Sequence, residues 1–259
     1  MPGWAADPAQ GRLERSVMAT QCLFREDAYL RHCQAVVVAA HDTFIELDRT
    51  VFYPTGGGQP GDTGVLQQAD GTAIPILNTR KSESGEDVLH CVAVGTVLPR
   101  PGEPVMVTLD WERRYAHMRI HTSLHVLSCV VIAPVTGGNI AADRGRLDFD
   151  IDMSLLDAGR IEAGINELIA RAVDTETAWI SDEELDARPD LVKTMSVQPP
   201  RGQGRVRLLR IPGIDLQPCG GTHVRNIGEI GPMRVLRIRN EGRRNKRVEI
   251  GFAQGVQCV

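Results

Sequence analysis

The sequence predicts an α+β protein: a small antiparallel β-barrel over residues 18–109, followed by an α/β unit over 110–259. Three observations carry this. From residue 34 to 109 short β-type runs (AVVVAA, TFIELD, VFYPT, GVLQQ, AIPILN, DVLHCVAVG and VMVTLD) are separated by turn residues, with no helical period among them. At Asp110 the pattern changes to a helix, with Asp110 as N-cap and Tyr115, Met118, Leu124, Leu127 and Val131 as an apolar stripe. Beyond it, β-type runs return around a second helical pattern.

In chain order, residues 1–17 mix Pro, Gly, Ala and charges without period, which predicts a disordered extension and makes Met18 a candidate start. The stretch 53–64, YPTGGGQPGDTG, has glycine at 56, 57, 58, 61 and 64. Such density suits a turn, or a backbone that must approach a ligand closely; with no Gly-Lys-Ser/Thr ending it is a weak nucleotide loop. After the turn-like VTGGN at 135–139, residues 144–152 alternate like a strand. Leu155, Leu156, Ile161, Ile165, Leu168, Ile169 and Ala172 then mark a helix capped by Asp152 or Ser154. A strand at 177–180, a short helix at 182–187 and a strand at 205–211 follow. The chain ends on a hairpin, 233–240 and 246–252, turned at 241–245. Alternation there puts Val235, Leu236 or Ile238 inward and Arg234, Arg237 and Arg239 largely outward.

At 259 residues the chain has room for two modest domains. No run of 18 apolar residues and no leader-like apolar segment is present, so no membrane contact and a cytoplasmic location are expected. Six cysteines lack framework spacing and should be thiols or ligands. The net charge of −4 alone argues against a polyanion partner. Its distribution argues the other way: residues 201–247 hold twelve Lys and Arg against Asp215, Glu229 and Glu241. Such a segment is either a basic face or a solvated hairpin.

His121 and His125 stand four residues apart on the predicted helix, so both imidazoles reach one point. Cys219 and His223, in PCGGTH, form a second pair on a Gly-rich loop. Three imidazoles and one thiolate are a set that Zn2+ prefers in tetrahedral geometry, here between a helix and a loop. HTSLH is not the HExxH of zinc peptidases, because Thr122 stands where the general-base Glu would be. A purely structural zinc site would more often pair cysteines at short spacing. His117, one turn before His121, is expected to pack or to support the site.

The ordered combination of YPTGGGQPGDTG, HTSLH and CGGTHVRNIGEIG closely resembles the freestanding alanyl-tRNA editing proteins of AlaX type. These are similar to the editing domain of alanyl-tRNA synthetase and, more remotely, to that of threonyl-tRNA synthetase. The resemblance runs from about Met18 to the end. It implies a β-barrel followed by an α/β editing domain, and a zinc-dependent deacylase that hydrolyses Ser-tRNA(Ala), in some members Gly-tRNA(Ala), in trans. The motifs fall on His121, His125, Cys219 and His223 as zinc ligands and catalytic set, and place 53–64 near the pocket. Two departures stand out: Ile227, where many relatives carry Thr, and residues 1–17, which have no counterpart.

On that resemblance Gly57, Gly58, Gln59, Thr122, Thr136 and Asn139 are the candidate substrate-binding residues. A pocket that needs the seryl hydroxyl would reject Ala. Phosphates of the tRNA(Ala) acceptor end would lie along Arg205, Arg207, Arg237, Arg239, Arg243, Arg244, Lys246 and Arg247. Two other readings are an inactive RNA-binding module with a structural zinc, and a zinc hydrolase of small esters that needs no RNA. Amino-acid scope and oligomeric state are not legible.

Overall fold

A computed structural model describes residues 19–192 and 204–253. The expected extension over 1–17 lies outside them. The first part is β-rich: β1 (Gln21–Cys22), a 3-10 turn, β2 (His32–His41), β3 (Phe44–Leu47), β4 (Arg49–Thr50), β5 (Gly64–Gln68), β6 (Ala73–Ile76), β7 (Asn78–Lys81), β8 (Val88–Cys91) and β9 (Pro104–Leu109). Alternation sets the inner face. On β2, Ala35, Val37 and Ala39 are buried while Val36 and Val38 face outward. Val37, Ile45, Leu47, Phe52, Leu66, Ile76 and Val107 form the core of this part.

Seven of these strands pair antiparallel in the order β6-β5-β9-β2-β3-β8-β7, and β1 pairs parallel with β4. The expected closed barrel is thus corrected to an open hydrogen-bonded order. The reason lies in the chain: β6 and β7, the two ends of the sheet, are consecutive and separated only by Leu77. They meet end to end, not side by side, and the Leu77 N–H donates to Cys91 O at 2.8 Å. Pro75 on β6, lacking an N–H, suits an edge. The expected run at 51–55 is not a strand, since only Arg49–Thr50 pairs before the glycine stretch.

Helix α1 (Trp111–Val130) starts as the sequence suggests, with the Asp110 carboxylate accepting from Arg113 N at 3.1 Å. It is buried over more than one stripe, because Ile120 and Val126 are enclosed as fully as Met118 and Leu127. The rest comprises β10 (Val135–Ile140), β11 (Arg144–Phe149), α2 (Ala158–Ala170), β12 (Glu176–Ile180), α3 (Asp182–Asp186), β13 (Val206–Ile211), β14 (Asp215–Pro218), β15 (Met233–Asn240) and β16 (Lys246–Phe252). Sheet β10-β11-β16-β15 packs against α1 and α2 through Leu124, Phe149, Ile165, Val248 and Ile250. Strands β12-β13-β14 form a separate three-stranded sheet.

Several local expectations shift. The turn-like VTGGN is strand β10. The cap of α2 is Asp157, accepting from Arg160 N at 2.7 Å, while Asp152 caps the 3-10 turn Met153–Leu155 before it. Leu155 is therefore exposed, and Ala172 lies beyond the helix with φ of 50°. On β15 a register shift between Val235 and Arg237 turns Leu236 outward beside Arg237. Ile227 is fully buried in the core, an apolar use of that position.

Two buried groups lock α1 to the glycine stretch. Arg114, fully enclosed on the second turn of α1, pairs with Asp62 and donates to Ala28 O at 2.8 Å and Val51 O at 2.6 Å. Asp62 also accepts from Tyr53 N at 2.6 Å. The motif's aspartate is thus the anchor for the helix that carries the histidine pair.

Candidate metal centre and active-site cleft

Helical spacing brings His121 and His125 to one face of α1, their ring centroids 5.4 Å apart. Strand β14 delivers the other pair: its register against β13 continues into a Cys219 N–H bond to Arg207 O at 2.9 Å. One guanidinium then holds the loop, Arg207 donating to Cys219 O at 3.0 Å and Gly221 O at 2.9 Å. Gly221 has to be glycine, since a Cβ there would collide with the His121 ring and sit 2.9 Å from Gln59 Oε1.

The four expected ligands do converge. One donor atom each from His121, His125, Cys219 and His223 lies within 4.8 Å of the others. Cys219 Sγ is 3.5 Å from His121 Nε2 and 3.1 Å from His223 Nε2. A tetrahedron with Zn–S and Zn–N bonds of ordinary length has S···N edges of roughly 3.5 Å.

The proton positions follow from the partners of the Nδ1 atoms. Gln59 Oε1 is 2.8 Å from His121 Nδ1 and also accepts from Thr222 N at 3.2 Å, while Gln59 Nε2 donates to Thr222 Oγ1 at 2.8 Å. The amide is oriented by these bonds, so His121 Nδ1 is the donor. Asp215 Oδ2 accepts from His125 Nδ1 at 2.9 Å. Thr122 gives its own proton to Met118 O at 2.8 Å, which leaves its oxygen to accept from His223 Nδ1 at 3.2 Å. All three Nε2 atoms are thereby aimed at the centre, the tautomer a metal requires.

The charges of the cluster follow from the same contacts. Burial alone would raise the Cys219 thiol, but the His121 and His223 rings and bonds from His121 and His125 pull it well below its ordinary value. Burial pushes His125 down, yet Asp215 and the Cys219 sulfur overcome it and lift the imidazole to about 9. His223, lowered by burial to about 3, is a neutral donor. His117 stays outside the cluster; burial and then Arg113 and Arg114 lower it to about 4.

The centre lies at the base of a cleft of about 370 Å³. Gly57 and Asn139 line that cleft, as do Arg205 and Arg207. The other expected pocket residues do not. Gln59 and Thr122 are fully buried, with polar atoms bonded to the imidazoles of His121 and His223, and do not line the cleft. Gly58 (φ 83°) packs its backbone on β10, where a Cβ would come within 2.8 Å of Gly138 O, and Thr136 donates to Asn245 at 2.7 Å.

The expected phosphate ligands divide similarly. Lys246 is buried and donates to Gly242 O and Arg243 O, Arg247 binds Asp148 and Glu241, and Arg244 pairs with Asp150 at 2.8 Å. Arg207 is spent on the Cys219 loop. Arg205, Arg237, Arg239 and Arg243 are exposed. What sequence reasoning missed is the support: Asp215, Gln217, Gly221 and the Asp62–Arg114 pair. A signal existed, since Asp215 and Gln217 share the period-2 face of the strand that leads into Cys219.

Comparison with known proteins gives the company the chain keeps. The family model described as "Threonyl and Alanyl tRNA synthetase second additional domain" matches residues 206–249, and that of "tRNA synthetases class II (A)" matches 18–113. The chain is 34% identical over 238 residues to the alanyl-tRNA editing protein AlaX-M of Methanosarcina barkeri, covering 88% of this chain and 97% of that protein. Its identity to AlaX-M of Saccharolobus solfataricus is also 34%, with the same coverage. It is 32% identical to alanine–tRNA ligase of Pyrococcus furiosus over 87% of this chain and 25% of the ligase. Among the described residues no helix is long and apolar enough to cross a membrane.

Proposed function

The chain belongs to the alanyl-tRNA editing protein (AlaX) family, and on that premise we propose that it is a cytoplasmic, trans-acting deacylase that hydrolyses the aminoacyl ester of Ser-tRNA(Ala), with Gly-tRNA(Ala) as the second substrate to be tested. The observation that carries the proposal is the convergence of three Nε2 atoms and one thiolate at the base of a cleft, every Nδ1 already bonded elsewhere. The donor set fits Zn2+, with His121, His125, Cys219 and His223 as ligands. When bound, the ion would supply either a Lewis acid for the ester and its oxyanion or an acidified water, at a position opened by displacement of one of the four ligands or by expansion of the set.

The chain's own residues supply the rest. Asp215, Gln59 and Thr122 hold the three rings in one tautomer, and Arg207 fixes the carbonyls of the loop that carries Cys219. Gly57 and Asn139 present polar groups to the aminoacyl moiety in place of the buried Gln59 and Thr122. Discrimination of Ser from Ala rests on a polar group that is left unpaired when the hydroxyl is missing. Arg205 at the cleft, with the exposed Arg237, Arg239 and Arg243, supplies charge for acceptor-end phosphates. The proposed division at Asp110 is supported by separate clusters of buried residues on either side.

The test is deacylation of Ser-tRNA(Ala), Gly-tRNA(Ala) and Ala-tRNA(Ala) by the metal-loaded protein and after chelation. Chelator-sensitive loss of the seryl ester, with Ala-tRNA(Ala) spared, is the expected outcome. Tight RNA binding with no hydrolysis of any of the three would make the protein a binding module instead.

A further inference from the structure

The walls of the cleft carry a feature that the deacylase chemistry does not use. Trp179, on β12, is 45% exposed, and lines the same cleft as His121 and Cys219. The position follows from the strand pattern. On β12 and β13 the side chains of Ala178, Ile180, Val206 and Leu208 pack with Leu185 and Leu191 into a small core of their own. The opposite face therefore carries Thr177, Trp179 and Arg207, with Trp179 directly across from Arg207. Trp179 and Arg207 of that face line the cleft. Its tryptophan is held by the ladder opposite Arg207 and stays outside the small core.

The charge around it is one-sided. Arg25, Lys81, Arg205 and Arg207 line the cleft, and among the described residues no Asp or Glu does. In a chain of net charge −4 this is a local reversal of sign. A flat aromatic ring with cations beside it is the arrangement that holds single-stranded nucleic acid, the base on the ring and the phosphates on the cations.

We propose that Trp179 is the platform on which the terminal base of the aminoacylated RNA stacks, with Arg205 and Lys81 taking the adjoining phosphates, so that the single-stranded end enters over β12 and β13. This rests on the deacylase reading for the nature of the ligand. Trp179 is then a positioning residue that sets where the ester sits relative to the metal centre, without touching the reacting atoms.

The test uses Trp179→Ala, Trp179→Leu and Trp179→Phe in the full chain, with metal content as the check on folding. For a seryl-RNA minihelix, loss of one stacked base should raise KM by about 10-fold for the Ala and Leu variants, while Phe stays within about twofold of wild type. Wild-type KM in both Ala and Leu variants would overturn the proposal. So would a Phe variant as impaired as Ala, since that points to packing of an indole and not to stacking. Should the wild type hydrolyse no aminoacyl-RNA at all, the deacylase reading fails, and a second measurement still decides this one. The uncharged 3′-terminal trinucleotide should quench the fluorescence that wild type has and Trp179→Phe lacks; an unaltered signal at saturating trinucleotide would overturn the platform.

Discussion

Asp215 Oδ2 lies 2.9 Å from His125 Nδ1, and the same carboxylate accepts from Gln217 Nε2 at 2.8 Å. A carboxylate behind a ligating imidazole fixes its ring and raises its basicity. Asp215→Ala should therefore weaken metal binding by roughly 10- to 100-fold, read by competition with a chromophoric chelator. Asp215→Asn, which keeps an acceptor oxygen, should fall between. Wild-type affinity in the Ala variant would mean that His125 is oriented by packing alone.

Gly221→Ala should be more damaging than its size suggests. The added methyl collides with the His121 ring and crowds Gln59 Oε1, so the ring has to turn and its Nε2 leaves the centre. Metal stoichiometry below half of wild type, with little change in far-UV dichroism, is the expected result. Full metal content would show that the loop can retreat without cost.

The buried Arg114–Asp62 pair should dominate the mutational energetics of the helix's attachment. Arg114→Met leaves a carboxylate enclosed without its partner, a loss of about 3–5 kcal/mol. Urea unfolding should show this, and the double variant with Asp62→Leu should recover part of it, because an apolar pair carries no stranded charge. If the single variant costs under about 1 kcal/mol, water reaches Asp62.

His90 makes the first part of the chain acid-sensitive. It donates from Nδ1 to Ile45 O at 3.1 Å and accepts at Nε2 from Thr50 at 2.8 Å, and burial holds it down at about 4. Its folded value lies below the unfolded one near 6.5, so its contribution is complete above pH 6.5 and is lost as pH falls toward 4. The loss amounts to about 3 kcal/mol. His90→Gln should flatten stability over that window in denaturant titrations at each pH. An unchanged slope would place the acid sensitivity elsewhere.

The convergence of His121, His125, Cys219 and His223 was legible because their spacings are themselves geometric statements. Four residues on a helix mean one face, and three short residues between Cys219 and His223 let a loop fold both toward one point. The support was less legible, since Gln59 and Asp215 acquire meaning only when chain segments distant in sequence are apposed. Gln59 shows the difficulty well. Its amide beside a glycine run suggests a substrate contact, but only the buried position between Thr222 and His121 reveals an internal role. Charge counting is coarse for a related reason. Composition cannot tell a guanidinium that faces solvent from one, such as Arg207 or Arg247, already committed to carbonyls or a carboxylate. The barrel expectation missed a covalent detail: β6 and β7 follow one another through Leu77 and so cannot pair side by side.

Gln59 comes from the β-rich part, yet it holds a ring on α1 and a hydroxyl on the Cys219 loop through the same amide. All four candidate ligands lie beyond Asp110, so an ion held by them would add to the adhesion between the two parts only through the Gln59 amide that orients His121. Whatever binds only the assembled arrangement favours assembly by mass action. Metal starvation should act as a solvent for the seam as well as an inhibitor of the site. A starved cell would then hold a chain whose halves part more readily and meet proteases sooner, so that scarcity of the ion lowers the amount of the protein and not just its turnover.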